Sequence, residues 1–157
     1  MYSTTRLLLC SFALTAAPLT AQTTTPGVKP LPGTGCAFDD PWPILVTGSA
    51  SVGNLIKLDP SMPVFTEAVI VGAQRRDLPL QGLVGCACTL VPDLTWVEFG
   101  FNVQMEIAVP NHPSLIGVEV WAQPYYFTGP ISEFACASGT PGGTFAFGDA
   151  VEITVQP

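Results

Sequence analysis

Glycine and proline interrupt this chain so often that few helices of ordinary length can fit in it. The sequence holds 15 glycines and 16 prolines, and all but Pro18 lie between Pro26 and Pro157. The longest later stretch free of both is residues 101–109. Inside a helix, glycine costs about 1 kcal/mol and proline about 3 kcal/mol relative to alanine. The sequence therefore predicts short strands joined by turns.

The clearest strand signal lies between Thr95 and Val109. Apolar residues occupy the odd positions Val97, Phe99, Phe101, Val103, Met105, Ile107 and Val109, whereas Glu98, Asn102, Gln104 and Glu106 occupy even ones. Alternation with a period of two is typical of a sheet that has one face on a core and the other in water. Because a strand usually spans about 3–10 residues, we expect a bend or turn around Gly100.

Other segments carry weaker strand signals. They lie at 43–47, 52–58, 64–72, 86–91, 116–122, 125–127, 144–147 and 149–155. About eight short strands separated by turn residues predict an all-β fold, either an antiparallel β-sandwich of the jelly-roll or immunoglobulin-like kind or a barrel. We favour the sandwich.

The first 21 residues have the features of an export signal. Arg6 precedes an apolar run from Leu7 to about Leu19, and small residues lead up to Ala21. This run is shorter than the roughly 20 apolar residues that a membrane-spanning helix needs. We expect cleavage after Ala21, an extended Pro/Thr-rich arm at 22–35 and a single domain at 36–157. The expected location is extracellular or in the cell envelope.

Charge excludes some partners. The predicted mature chain has twelve acidic residues and four basic ones, a net charge of −8. Such a chain has no electrostatic attraction for nucleic acid or an anionic membrane surface. Charged residues make up only 11% of the sequence, against roughly 25% in ordinary soluble domains. A weakly charged surface of this kind favours association with other protein surfaces.

Four cysteines remain after the predicted cleavage: Cys36, Cys86, Cys88 and Cys136. In an exported chain an even number predicts two disulfides, with three ways to pair them. Residues two apart on a strand point to the same face, so Cys86 and Cys88 cannot readily bond each other. We expect Cys36–Cys86 and Cys88–Cys136. A metal site on these cysteines is the competing interpretation, which the Cys-x-Cys spacing disfavours.

Two motifs could carry chemistry, and a simpler interpretation is available for each. His112 lies in the stretch Val-Pro-Asn-His-Pro, where the flanking prolines and Asn111 all favour a turn. No Gly-x-Ser-x-Gly or similar nucleophile motif accompanies it. Asp39 and Asp40 are adjacent but lack the spacing of a calcium loop. We therefore predict no catalytic residue, no metal site and no cofactor.

The aromatic residues suggest a binding surface. Trp96 falls on the polar side of the 95–109 alternation, and Trp121 falls opposite the apolar positions of its own segment. With Tyr125 they could form a platform on which sugar rings stack. The interpretation that we favour, which a β-bulge would permit, is that these side chains pack in a core or an interface.

Several motifs resemble an uncharacterised family of secreted β-rich domains common in planctomycete-type bacteria. The layout is Gly-x-Gly-Cys, then Gly-Cys-x-x-Leu-Val-x-Pro-Asp, then Val-Pro-Asn-x-Pro-x-Leu-x-Gly ending at a glutamine, and a final alternating strand. The matching residues are Gly33, Gly35, Cys36, Gly85, Cys86, Leu90, Val91, Pro92, Asp93, Val109, Pro110, Asn111, Pro113, Leu115, Gly117, Gln123, Val151, Ile153 and Val155. The resemblance implies a secreted β-rich fold and supports Cys36–Cys86 as the shared bridge. It implies no catalytic residue.

Two functions follow as expectations. The first is a non-enzymatic structural or interaction module of the cell envelope or extracellular matrix, which associates with itself or with other envelope proteins. In that case the arm at 22–35 could add a strand to a neighbouring molecule. The second is a carbohydrate-binding module that uses Trp96, Trp121 and Tyr125.

Overall fold

The computed structural model of this chain describes residues 25–36, 44–60, 66–80, 87–101, 104–127 and 145–157. Within these ranges the backbone forms short strands and one three-residue 3-10 turn, Pro113–Leu115. In chain order the strands are β1 (Val28–Leu31), β2 (Leu45–Gly48), β3 (Leu55–Asp59), β4 (Thr66–Gly72), β5 (Arg75–Pro79), β6 (Thr89–Pro92), β7 (Trp96–Phe101), β8 (Met105–Ala108), β9 (Glu119–Phe127), β10 (Phe145–Phe147) and β11 (Ala150–Thr154).

The strands form three antiparallel sheets. The central sheet has the order β1-β11-β9-β4-β7, and β10 pairs with the second half of β9 beyond the end of β11. The outer sheet has the order β2-β3-β8, and β5 pairs with β6 to form a two-stranded ribbon. The predicted all-β antiparallel sandwich is confirmed, with eleven strands in the described ranges where about eight were expected.

The main core lies between the central and outer sheets. In β3, Ile56 and Leu58 are buried while Leu55 and Lys57 are exposed, which is the alternation of a strand with one solvent-exposed face. Strand β4 contributes Val69 and Val71 from the opposite side of the core. The buried residues of this core are Ile44, Val46, Ala50, Ile56, Leu58, Val69, Val71, Met105, Val109, Ala122, Val151, Ile153 and Val155.

The ribbon covers the other face of the central sheet and makes a third layer. Ile70 of β4 packs there with Leu90 of β6, and Trp121 of β9 packs there with Val91. As a result, residues 68–71 of β4 are all buried. A strand buried on both faces has a continuous apolar run instead of an alternating one, which explains the sequence Ala-Val-Ile-Val at this point.

The long alternating segment 95–109 divides into two strands that belong to different sheets. Strand β7 pairs with β4 in the central sheet, whereas β8 pairs with β3 in the outer sheet. Gly100, where a bend was expected, lies within β7 and pairs with Glu67, so the two strands separate after Phe101 and not at the glycine.

Two strands lie where no strand signal was recognised. Strand β1 lies within the segment 22–35 that was expected to be an extended arm, and it pairs with β11 of the same chain from Val28↔Ile153 to Leu31↔Ala150. Strand β5 has five exposed residues. Neither strand has apolar periodicity, because β1 places only Leu31 and, partly, Val28 against a core, and all five residues of β5 are exposed. Residues 1–21, Asp39, Asp40, Cys86 and Cys136 lie outside the described residues.

Candidate functional site

The sulfur atoms of Cys36 and Cys88 lie at disulfide distance, with their Cα atoms 5.1 Å apart, within the usual range for a disulfide. The predicted pairings Cys36–Cys86 and Cys88–Cys136 are therefore wrong. Cys88 is buried with Leu90 in the core under the ribbon, and residues two apart on a strand share a face. The amide of Cys36 donates to the carbonyl of Phe147 at 2.8 Å, which holds that cysteine beside the same core.

His112 caps the 3-10 turn. Its Nδ1 lies 2.6 Å from Ser114 Oγ and accepts a 3.3 Å hydrogen bond from the Ser114 amide. Its backbone is extended, as expected for a residue before proline. The prediction of a turn residue is confirmed. Nδ1 of His112 therefore holds the local backbone of the turn.

Gln123 is a polar side chain that is fully buried beneath the ribbon. Its Oε1 accepts from the Val91 amide at 2.9 Å, and its Nε2 donates to the carbonyls of Thr89 and Gly148 at 3.0 and 3.1 Å. One side chain thus joins β9 to β6 and to the bend between β10 and β11. Sequence reasoning included Gln123 in the family resemblance but assigned it no role, although a glutamine inside an apolar strand was a signal of buried hydrogen bonding.

Asp93 joins two loops at the same end of the ribbon. Its Oδ1 accepts from Thr95 Oγ1 at 2.8 Å and from the Gln74 amide at 3.2 Å. The hydrogen bond from Thr95 lowers the pKa of Asp93, and bonds from the backbone of Gln74 and Ala73 lower it further, while burial opposes them. A β-carbon on Gly72 would collide with Asp93 backbone atoms. The two loops are therefore fitted closely together.

The three aromatic residues predicted to stack on sugars do not share one surface. Trp96 lies opposite Val71 and Trp121 lies opposite Gly72, so the two tryptophans point to opposite faces of the central sheet. Trp96 is 48% exposed, whereas Trp121 is 8% exposed because the ribbon covers it. For Trp121 the interpretation of packing in a core is therefore confirmed, and a solvent-facing stacking position is wrong.

Tyr125 belongs to the core under the ribbon. It is partly buried and meets Phe147 edge to face, with ring centroids 5.2 Å apart. Burial raises the pKa of Tyr125. Of the three predicted stacking residues, Trp96 alone is exposed.

The exposed surface contains several large apolar side chains. They are Leu45, Leu55, Leu78, Leu94, Trp96, Ile116 and Val118. Two pairs, Leu94 with Trp96 and Ile116 with Val118, lie two residues apart. The ion pairs found in the described ranges are Lys29–Glu152, Lys57–Glu106 and Arg75–Asp77. The surface thus combines few charges with well-exposed hydrocarbon.

The described ranges contain neither a metal-binding cluster nor a helix that could span a membrane. No group of three or more His, Cys, Asp or Glu side chains there is arranged to hold a metal ion. No helix in those ranges has the length and apolar character of a membrane span.

Comparison with protein-family models, curated proteins and solved structures finds no match to this chain. The resemblance to secreted planctomycete-type domains therefore stays a prediction. Several residues that carry it nevertheless have structural roles: Asp93 joins two loops, Gln123 joins the layers, and Leu115 packs against the main core.

Proposed function

We propose that this protein is a non-enzymatic structural module that acts outside the cytoplasm, in the cell envelope or extracellular matrix, by associating with further copies of itself. The observation that carries the proposal is the surface. Seven large apolar side chains are exposed in the described residues, while only 11% of the sequence is charged. Association removes such hydrocarbon from water at a gain of roughly 25 cal/mol per Å².

The polar residues of the sequence motifs support a structural role. The side chain of Gln123 hydrogen bonds to three backbone groups. The carboxylate of Asp93 accepts hydrogen bonds from two loops. Nδ1 of His112 accepts a hydrogen bond from the amide of Ser114 in the turn that the residue caps. Each is explained by what it does for the fold.

The cysteine geometry and the first 21 residues support export. A cysteine pair at disulfide distance is typical of proteins in oxidising compartments. The segment from Arg6 to Ala21 has the composition of an export signal. Both features favour a location at or beyond the cell surface.

Sedimentation velocity from micromolar to millimolar concentration tests the proposal. We expect the average mass to rise with concentration, and we expect Leu94→Gln with Ile116→Gln to reduce that rise. Ala73→Gln is the matched control, because it adds the same amide at an exposed position without removing a large apolar side chain. A strict monomer at every concentration would overturn self-association.

A carbohydrate-binding function is the second candidate, and exposed Trp96 is the observation that favours it. Stacking on a sugar ring would change tryptophan fluorescence, so titration with soluble polysaccharides is the direct test. Trp96→Phe keeps the stacking ring but removes that indole signal, and Trp96→Ala removes both. Absence of any fluorescence change across a glycan panel would remove this candidate.

A further inference from the structure

The two ends of the ribbon are attached to the rest of the protein in different ways. At one end, the base, both strands continue into the central sheet: Ala73 and Gln74 join β4 to β5, and residues 93–95 join β6 to β7. At the other end, the tip, the amide of Leu80 donates to the carbonyl of Cys88 at 2.9 Å. The chain runs from β5 to β6 at the tip, so the backbone attaches the ribbon to the central sheet at its base.

A cross-link holds the tip of the ribbon. The sulfur atoms of Cys88 and Cys36 are at disulfide distance, and the amide of Thr89, the next residue, donates to the Thr34 carbonyl at 3.0 Å. Cys36 is itself fixed to the central sheet, because its amide donates to the carbonyl of Phe147 in β10 at 2.8 Å. The Cys36–Cys88 bridge therefore ties the tip of the ribbon to the central sheet.

The ribbon packs in clusters that are separate from the main core. Leu80, Cys88 and Leu90 belong to one buried cluster. Val91 belongs to another, and neither cluster shares a residue with the main core. All five residues of β5 are exposed, and an isolated two-stranded hairpin is marginally stable at best in water. A ribbon released from the sheet would therefore lose its own strand pairing, while the main core would keep all of its residues.

We propose that the Cys36–Cys88 bridge is a redox switch that controls the position of the ribbon. The oxidised bridge holds the ribbon over the central sheet, and reduction of the bridge lets the ribbon open about its base. Opening exposes the face of the central sheet that the ribbon covers, which includes Ile70 and Trp121, and the main core stays folded. Such a switch is independent of self-association.

The reduction is a thiol–disulfide exchange with a dithiol. Cys36 is half-buried whereas Cys88 is buried, so a thiolate of the dithiol attacks Sγ of Cys36, and Cys88 leaves as a thiolate and takes up a proton. The second thiol of the dithiol then displaces Cys36, which also takes up a proton, and closes a cyclic disulfide. Two electrons and two protons pass from the dithiol to the bridge.

Amide hydrogen exchange of the wild-type protein in dilute solution, with and without dithiothreitol, tests the switch. Leu80, Thr89 and Val91 have amides that are hydrogen bonded in the closed ribbon. We expect reduction to speed the exchange of these amides by about tenfold or more. The amides of β3, which belongs to the outer sheet, should keep their protection.

Trypsin provides a second readout, because its cleavage sites lie both inside and outside the ribbon. Arg75 and Arg76 lie on β5, whereas Lys57 lies on β3. Lys29 precedes Pro30, and trypsin does not cleave before proline. Reduction should speed cleavage after Arg75 and Arg76 by about tenfold. Cleavage after Lys57 should not change, so this site is the matched control within the same chain.

Two double variants assign the effect to this bridge. Cys86→Ala with Cys136→Ala leaves Cys36 and Cys88 as the cysteines of the predicted mature chain, so dithiothreitol should still open the ribbon. Cys36→Ala with Cys88→Ala removes the bridge. It should show fast exchange in the ribbon without any reductant, and dithiothreitol should have no further effect on it.

Fast exchange in the ribbon together with a protected β3 supports the switch. Unchanged protection of the ribbon after complete reduction, verified by counting thiols, would overturn it, because packing and hydrogen bonds would then hold the ribbon without the bridge. Loss of protection in the ribbon and in β3 together would also overturn it, because the bridge would then stabilise the whole fold. Neither outcome bears on self-association, which sedimentation velocity tests separately.

Discussion

At the residue scale, individual polar side chains join the layers of this fold. Gln123 connects β9 to β6 through Val91 and Thr89 and reaches Gly148 beyond them. A buried amide that satisfies both its donor and its acceptor can hold two layers in one arrangement, whereas apolar packing alone tolerates slippage. At the end of the ribbon, the carboxylate of Asp93 joins two loops by accepting hydrogen bonds from Thr95 and Gln74.

Replacing Gln123 with leucine should lower the free energy of unfolding by about 2–4 kcal/mol. The substitution leaves the Val91 amide, which belongs to a fully buried residue, without its acceptor. Urea denaturation measures the loss. Gln104→Leu is the control, because Gln104 makes an exposed hydrogen bond to Asp59, and its loss should stay within about 0.5 kcal/mol. Equal losses at the two positions would show that the buried hydrogen bonds do not stabilise the layers.

Asp93 should make stability depend on acid pH. Its folded-state pKa lies below the ordinary value of 3.8, so the unfolded chain binds a proton more readily than the folded chain. The stabilisation is complete above the unfolded-state pKa and is lost as the pH falls through the lower folded-state pKa. The unfolding free energy of the wild-type protein and that of Asp93→Asn should therefore converge as the pH is lowered below the ordinary value.

Urea denaturation at a series of pH values measures this convergence. Leu78→Gln is the control, because it changes an exposed side chain that carries no titrating group, so its difference from the wild-type protein should stay constant with pH. A constant difference between wild type and Asp93→Asn down to the lowest pH would exclude a role for the Asp93 charge.

At the element scale, the sequence predicts strands well where they bury apolar residues and poorly where they are exposed, and it does not show which strand face a second layer covers. Alternation located β3, β8 and β11, because each has one face on the main core. It did not identify β1 or β5, because few of their side chains are buried. It also placed Trp121 in solvent, because the ribbon that covers it is a long-range feature that local periodicity does not report.

The wrong disulfide pairing was also caused by a long-range feature that the local sequence does not report. Local spacing shows that Cys86 and Cys88 cannot readily bond each other, but the partner of Cys36 depends on which strand crosses the central sheet. The structure brings β6 to that position, where the Thr89 amide donates to the Thr34 carbonyl at 3.0 Å. Cys88 then lies next to Cys36.

Non-reducing peptide mapping should therefore recover Cys36 linked to Cys88. Fragmentation must distinguish Cys88 from Cys86, since only Ala87 separates them. The bridge spans a sequence separation of 52 residues, and the chain-entropy model gives a stabilisation of about 4 kcal/mol for such a loop. Cys36→Ala with Cys88→Ala should lose stability of that order in chemical denaturation. Recovery of Cys36 linked to Cys86 would contradict the assignment.

At the scale of the whole molecule, net charge and exposed apolar surface have opposite effects on association between copies. The net charge of −7 makes copies repel one another, whereas the exposed leucines, Trp96, Ile116 and Val118 favour association. Because acidic copies repel one another, attraction between copies should come from apolar contact. These forces respond differently to salt.

Self-association should therefore strengthen as ionic strength rises. Salt shortens the Debye length from about 30 Å at 0.01 M to about 8 Å at 0.15 M, which screens the repulsion between acidic copies and leaves apolar burial intact. Sedimentation velocity at low and at physiological sodium chloride measures the effect, and Ala73→Lys, which removes part of the repulsion at an exposed position without removing a large apolar side chain, should show a weaker salt dependence. If salt instead dissociated the assembly, ion pairs between copies would be its main attraction, and apolar burial could not be what holds the copies together.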